Sequence, residues 1–207
     1  MTSDSMTVSM FAHAHHGTNI EENPPMHMAT KARPWTRADL ERLPDDGNKY
    51  EVIRGELFVT PPPSTRHEEL LTVLADHLRR YAERAEIGRV YAGKPAMVLD
   101  DSHAEPDLLI RRRVVPLPDK WDQMPVPILI VEILSSSTRR RDLIEKKALY
   151  LDAGVVEYWI VDGLERSVRV VRADGERVET NSLRWEPAGA SDPFVLNVAA
   201  YFHEALG

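Results

Sequence analysis

The sequence contains no cysteine. Disulfide staples, thiolate metal sites and cysteine nucleophiles are excluded with it, and the absence fits a reducing cytoplasm. Long apolar runs are missing too. The longest near the middle of the chain, Ile128–Val131, is far too short to span a bilayer. Residues Met1–Gly17 show neither a basic leader nor an apolar stretch, so no signal peptide is read and the expected location is the cytoplasm. Positive charge is in deficit: 26 Lys and Arg stand against 33 Asp and Glu, a net charge of −7. A tight, non-specific nucleic-acid binder carries a basic surplus, so the balance weighs against that class. It leaves open a site built from acidic ligands and locally clustered bases.

What is present suits one globular domain with a tail. The 207 residues are 43% hydrophobic and 29% charged, enough to bury a core without staples. Residues 1–30, rich in Ser, Thr, Met, His and Asn, show no apolar period and read as a disordered tail. Its His13, His15, His16 and His27 have no carboxylate or fixed element to arrange them as ligands. The domain is expected over 31–207.

Within it, Thr36 caps a short helix to Leu43 that Pro44 stops. Tyr50–Ile53 and Glu56–Thr60 read as a hairpin about Arg54-Gly55, closed by Pro61-Pro62-Pro63. Leu70, Leu71, Leu74, Leu78 and Tyr81 mark a helix over Thr65–Ala85, broken by Gly88. Strands are predicted at Arg89–Leu99, Glu105–Arg111 and Pro127–Leu134. Ser135–Thr138 leads into a helix over Arg139–Ala153, ended by Gly154. Glu157–Asp162 and Ser167–Val171 close as strands, and Arg177–Val198 reads as strands and turns. This order implies an α/β sheet flanked by helices.

Two acids stand out. Glu132 interrupts the apolar run Pro127–Leu134, which reads as a strand buried on both faces; an ionised carboxylate there is costly unless paired or bound to a cation. Asp107 opens the apolar strand Leu108-Leu109-Ile110. Taken singly, each has a plain reading, Glu132 as a strand-end partner of a lysine or arginine and Asp107 as a turn residue bonding nearby backbone. Together, at equivalent places on adjacent strands, they can hold one hard cation, since magnesium uses one or two carboxylates and keeps several waters.

The ordered set Tyr50-Glu51-Val52-Ile53-Arg54-Gly55-Glu56-Leu57, His67, Pro106-Asp107, Val131-Glu132-Ile133-Leu134-Ser135, Lys146 within Glu145–Tyr150, and Gly154–Asp162 resembles the Uma-type family of putative restriction endonucleases, a branch of the PD-(D/E)XK superfamily. The resemblance covers about Tyr50 to Asp162. It implies a restriction-endonuclease-like mixed sheet flanked by helices, with an N-terminal β-hairpin. The superfamily pattern places lysine two residues after the glutamate, where this chain has Leu134. What the resemblance implies instead is a lysine moved to the next helix, matching Lys146; Lys147 is its neighbour off the family position. As Asp142 and Lys146 are i, i+4 neighbours, Lys146 also reads as one half of an exposed helix ion pair. Glu56 matches a family acid that would ligate a second ion or orient a water, or is simply an exposed hairpin glutamate. Glu51 carries the same ambiguity. His67 would bond a phosphate or water, or merely sit by the helix cap. Arg111-Arg112-Arg113 and Arg139-Arg140-Arg141 would contact backbone phosphates or form solvated faces, while Tyr158 and Trp159 read as core.

The expected function is a metal-dependent endonuclease acting on DNA. Asp107, Glu132 and the carbonyl of Ile133 would hold Mg²⁺ or Mn²⁺. Lys146 would stabilise the attacking hydroxide and the charge developing on phosphate. A homodimer fits, because cutting both strands takes two sites. The missing lysine at 134 and the acidic charge motivate a second expectation, a catalytically silent member that binds nucleic acid or a protein partner. A nuclease acting on RNA is a third.

Overall fold

The computed structural model describes residues 33–207; the expected tail, with its four histidines, lies outside the described residues. Two sheets pack face to face along part of their area. The larger has the strand order β10-β9-β8-β7-β6-β3 and the smaller β2-β1-β5-β4, with β11 and β12 forming a separate ribbon. The strands are β1 (Lys49–Ile53), β2 (Glu56–Thr60), β3 (Arg89–Ala92), β4 (Met97–Leu99), β5 (Ser102–Ala104), β6 (Leu108–Arg111), β7 (Leu129–Ile133), β8 (Glu157–Asp162), β9 (Ser167–Arg172), β10 (Gly175–Glu179), β11 (Ser182–Trp185) and β12 (Phe194–Asn197). The pair β7–β8 is parallel while its neighbours are antiparallel, so the larger sheet is mixed. A parallel pair needs a crossover, here the helical segment between residues 139 and 152.

The hairpin forms where expected. Arg54 and Gly55 both adopt positive φ (50° and 80°), the backbone that a tight two-residue turn requires. The helix α2 (Thr65–Arg84) starts where the Ser64 side chain accepts from the His67 amide and buries Leu70, Leu71, Leu74, Ala75, Leu78, Tyr81 and Ala82 along one stripe. Its exit at Gly88 is fixed by packing: a Cβ there would stand 2.1 Å from the Arg111 carbonyl oxygen. Only glycine lets the end of α2 meet β6 that closely.

Three expectations are corrected. The single strand over Arg89–Leu99 is two strands in different sheets, because Gly93 and Lys94 take positive φ (79° and 60°) and the chain turns from β3 in the large sheet to β4 in the small one. The first helix is only α1 (Arg37–Leu40). After the predicted strands and turns comes an unforeseen helix, α5 (Val198–Leu206), capped by the Asn197 side chain and burying Val198, Tyr201, Phe202 and Ala205. That i, i+3, i+4, i+7 spacing is a helical signal that the sequence carried openly.

Period-two alternation divides the large sheet into two apolar faces. Leu108 and Ile110 of β6, Leu129, Val131 and Ile133 of β7, and Trp159 and Val161 of β8 pack under α2, α5 and the β11–β12 ribbon. Leu109, Ile130, Tyr158 and Ile160 face the opposite way, against Ile53, Met97, Ala104, Leu149 and Tyr150. Leu78 is fully buried in the first core. Leu78→Ala is expected to lower unfolding free energy by about 2–5 kcal/mol, measured by urea titration; a loss under ~1 kcal/mol would contradict this packing.

Among the described residues, no helix is long and apolar enough to cross a membrane.

Candidate active site

The last pair between β6 and β7 sets Leu108 opposite Val131. One step further, the same register sets Asp107 opposite Glu132. Both share the face of Leu109 and Ile130, the one that looks toward the small sheet. The alternation of β1 brings the third acid. Ile53 packs in this second core, so Glu51 and Lys49, at steps of two, project from the same face of their strand.

The fourth wall is the crossover helix. It begins with α3 (Arg139–Arg141), widens into a π-helical turn over Asp142–Lys146, and resumes as α4 (Lys147–Asp152). π-turns are rare and re-aim the side chains around them. Here Asp142, Lys146 and Tyr150 all point inward and are buried.

Lys146 is the hub. Its Nζ lies 2.7 Å from Glu132 Oε1, 2.8 Å from Glu51 Oε1 and 3.9 Å from Asp142 Oδ1. The Tyr150 hydroxyl donates to the same Glu132 oxygen at 2.9 Å. Glu51 also accepts from the Glu105 amide at 2.8 Å and faces Arg141, whose guanidinium is 3.4 Å from Oε2. Asp107 Oδ2 accepts from the Ile133 amide at 2.8 Å and pairs with His67 Nε2 at 3.0 Å. Its Oδ1 is 3.4 Å from Lys49 Nζ, which also donates to the Glu105 carbonyl at 3.0 Å.

Electrostatics follow from this crowd. Burial pushes Glu51 up, but Lys146, Lys49 and Arg141 outweigh it and hold the carboxyl down at about 2. Asp107 is likewise held low despite burial, by the His67 hydrogen bond and the nearby Lys49 charge. Glu132 goes the other way: burial and the Asp107 charge push it up to about 8 against the pull of Lys146. Burial disfavours the Lys146 ammonium, yet Glu132, Glu51 and Asp142 overcome that and hold its pKa above the ordinary lysine value. Burial pulls His67 down, but the Asp107 hydrogen bond and charge together with Glu68 outweigh it and raise its pKa. The surplus is anionic, so the proton shortage is met at Glu132.

Stability should therefore peak at mildly acidic pH without divalent ions. Glu51 and Asp107, with folded pKa values below their unfolded ones, contribute stability present above about 4.5 and lost as pH falls toward 2. Glu132 and His67, with raised values, contribute stability present at low pH and lost as pH rises, for Glu132 through about 8. Thermal midpoints in EDTA should fall on both sides; a steady rise from pH 5 to 9 would contradict the assignment.

Several expected residues are placed elsewhere. Glu56 is exposed at the turn end of the hairpin, and the hairpin acid that enters the cluster is Glu51. Lys146 is not half of an exposed ion pair but wholly buried, while Lys147 points outward to Glu176 at 2.7 Å. The arginine triplets are divided, with Arg113 and Arg140 exposed and the others engaged by the protein. Arg111 is buried, donating to the Pro125 and Ala96 carbonyls; Arg112 donates to Ile87 and Ala188; Arg139 pairs with Asp162 and Arg141 turns inward. Tyr158 and Trp159 are core residues. Sequence reasoning gave no role to Lys49 or Tyr150, showed Arg141 only as part of a phosphate-contacting or solvated triplet, and showed Asp142 only as a surface partner. The step-two series Lys49, Glu51, Ile53 and the step-four series Asp142, Lys146, Tyr150 were the available signals.

Among the described residues, no three His, Cys, Asp or Glu side chains gather as a ready metal cluster. The residues nonetheless fit a hard divalent ion in charge and donor type. Four carboxylates, Glu51, Asp107, Glu132 and Asp142, share the site with three permanent cations, Lys49, Arg141 and Lys146. Glu51 Oε2 and Asp142 Oδ1 are buried without a hydrogen-bond partner. All the acidic donors are oxygens, the kind that magnesium and manganese take.

Residues 37–197 match the family model Uma2, described as "Putative restriction endonuclease". The chain belongs to the Uma2 family. Membership indicates a nuclease. The fold agrees: a solved structure titled as a putative nuclease belonging to DUF820 from Anabaena variabilis superposes with a TM-score of 0.68 at 21% identity, covering 84% of this chain and 100% of its own. No curated protein matches the chain. The Uma2 match spans α1 through β12, so it takes in every residue of the cluster.

Proposed function

We propose that this chain is a divalent-metal-dependent endonuclease that hydrolyses phosphodiester bonds in DNA. One observation carries the reading: Asp107, just before β6, accepts from the amide of Ile133, the residue after Glu132 in β7, with a lysine hydrogen-bonded to Glu132. Asp107, Glu132 and the carbonyl of Ile133 would hold Mg²⁺ or Mn²⁺, which when bound polarises a phosphoryl oxygen and lowers the pKa of its water.

The chain's own residues prepare that site. His67 and the Ile133 amide fix Asp107 in its ionised state. Lys146 and Tyr150 both bind Oε1 of Glu132, leaving Oε2 without a hydrogen bond among the described residues. Buried behind these carboxylates, Lys146 acts on them and not on the substrate, so it is a positioning residue. Cutting both strands of a duplex would take two such sites, hence a homodimer.

The test is cleavage of an end-labelled DNA duplex by purified protein with Mg²⁺, Mn²⁺ or EDTA, alongside single-stranded DNA and RNA. Metal-dependent cutting of DNA supports the reading. Cutting of RNA alone would transfer it to RNA. A folded protein that cuts nothing would favour the silent binder, for which the one favourable observation is that Lys49 and Lys146 already pair with the acids.

A further inference from the structure

The cluster is closed on one side and open on the other. Lys146 and Glu51 side chains are 0% exposed and Glu132 3%. At the other end Lys49 is 21% exposed, His67 13% and Asp107 10%. A phosphodiester is far too large to reach Lys146 without dismantling the core, so it must arrive over Lys49, His67 and Asp107. β1 grades this opening along one face: Lys49 lies at the rim, Glu51 is sealed and Ile53 is in the core. An ammonium has three donors. Those of Lys146 face Glu132, Glu51 and Asp142. Lys49 has two acceptors, the Glu105 carbonyl and, at a long 3.4 Å, Asp107 Oδ1. Its third donor is uncommitted, and His67 Nδ1 is buried without a hydrogen-bond partner, with only Glu68 Oε1 3.7 Å away.

Resting on the nuclease reading above, we propose that Lys49 is the cation that meets the scissile phosphate, the duty that the usual pattern gives to a lysine two residues after the glutamate. With the third donor uncommitted and the bond to Asp107 a long one, it can take a phosphate oxygen without any rearrangement of that carboxylate. Lysine suits this duty as a compact point charge on a flexible stem.

The experiment follows binding of a fluorescein-labelled DNA duplex in EDTA across a salt series, cleavage in Mn²⁺, and Mn²⁺ binding by calorimetry, for wild type, Lys49→Gln, Lys49→Arg and Lys147→Gln. Loss of one phosphate contact lowers the slope of log affinity against log salt by about 0.9. Lys49→Gln should show that drop, with cleavage reduced by ~10²–10³ and Mn²⁺ binding not reduced, while its thermal midpoint falls modestly because Lys49 helps hold Glu51 and Asp107 ionised. Lys49→Arg should restore the slope, and Lys147→Gln should match wild type. An unchanged slope for Lys49→Gln in a protein whose wild type binds and cuts DNA would overturn the assignment alone. A wild type that neither binds nor cuts DNA would overturn the nuclease reading and this inference with it.

Discussion

Lys146→Ala is expected to destabilise the fold by about 3–5 kcal/mol, the cost of breaking a buried ion pair from one side. The variant leaves the Glu51 charge and the Glu132 carboxyl at a depth where they have lost the ammonium 2.7–2.8 Å away. Urea titration measures the loss directly. Glu132→Gln in the same background should recover part of it, because neighbours sharing one network are not additive. Cleavage should fall as well, and must be read per folded molecule. Lys147→Ala is the control: its partner Glu176 is surface-exposed in part, and such a pair contributes about 0–1 kcal/mol. A Lys146→Ala variant as stable as wild type would mean that the lysine does not hold the acids together.

Asp107→Asn is the second large effect. The amide keeps the shape of the side chain and an acceptor for the Ile133 amide, but it removes the charge that pairs with His67 and Lys49. Changes even to groups that only orient metal ligands typically cost 10–100-fold, so loss of a ligand charge should lower metal-dependent cleavage by more than ~10². Calorimetry with Mn²⁺ should show weakened or absent binding. Retained Mn²⁺ affinity together with normal cleavage would remove Asp107 from the site.

The reach of the sequence can be seen residue by residue. Asp107 and Glu132 were visible because a carboxylate in an apolar strand is costly and asks for an explanation. The hairpin, α2 and the strands β7 and β8 followed from turn chemistry and periodicity, and the mixed sheet flanked by helices that the resemblance implies agrees with the structural relative. The burial of Lys146 was not visible. A regular helix with Asp142 and Lys146 at i, i+4 suggests a surface pair, and only packing of the crossover onto Ile160 and Tyr158 sinks both. The choice between Glu51 and Glu56 was hidden for a similar reason. Both are hairpin glutamates, and only the contact of β1 with β5 and the helix decides which is sealed. The break between β3 and β4 turned on Lys94, a non-glycine residue at positive φ, which composition gives little reason to expect.

The π-helical turn makes the crossover sensitive to counting. An α-helix advances 3.6 residues per turn, and the wider turn over Asp142–Lys146 holds one residue more than an α-turn would. Inserting one more residue, even beside exposed Ile144, would find no further slack in this turn and would rotate everything after it by about 100°. Lys146 and Tyr150 would then swing away from Glu132 together, while their side chains remained intact. This stretch should therefore accept many exchanges at Ile144 and no added residue, so that insertions are more harmful here than substitutions.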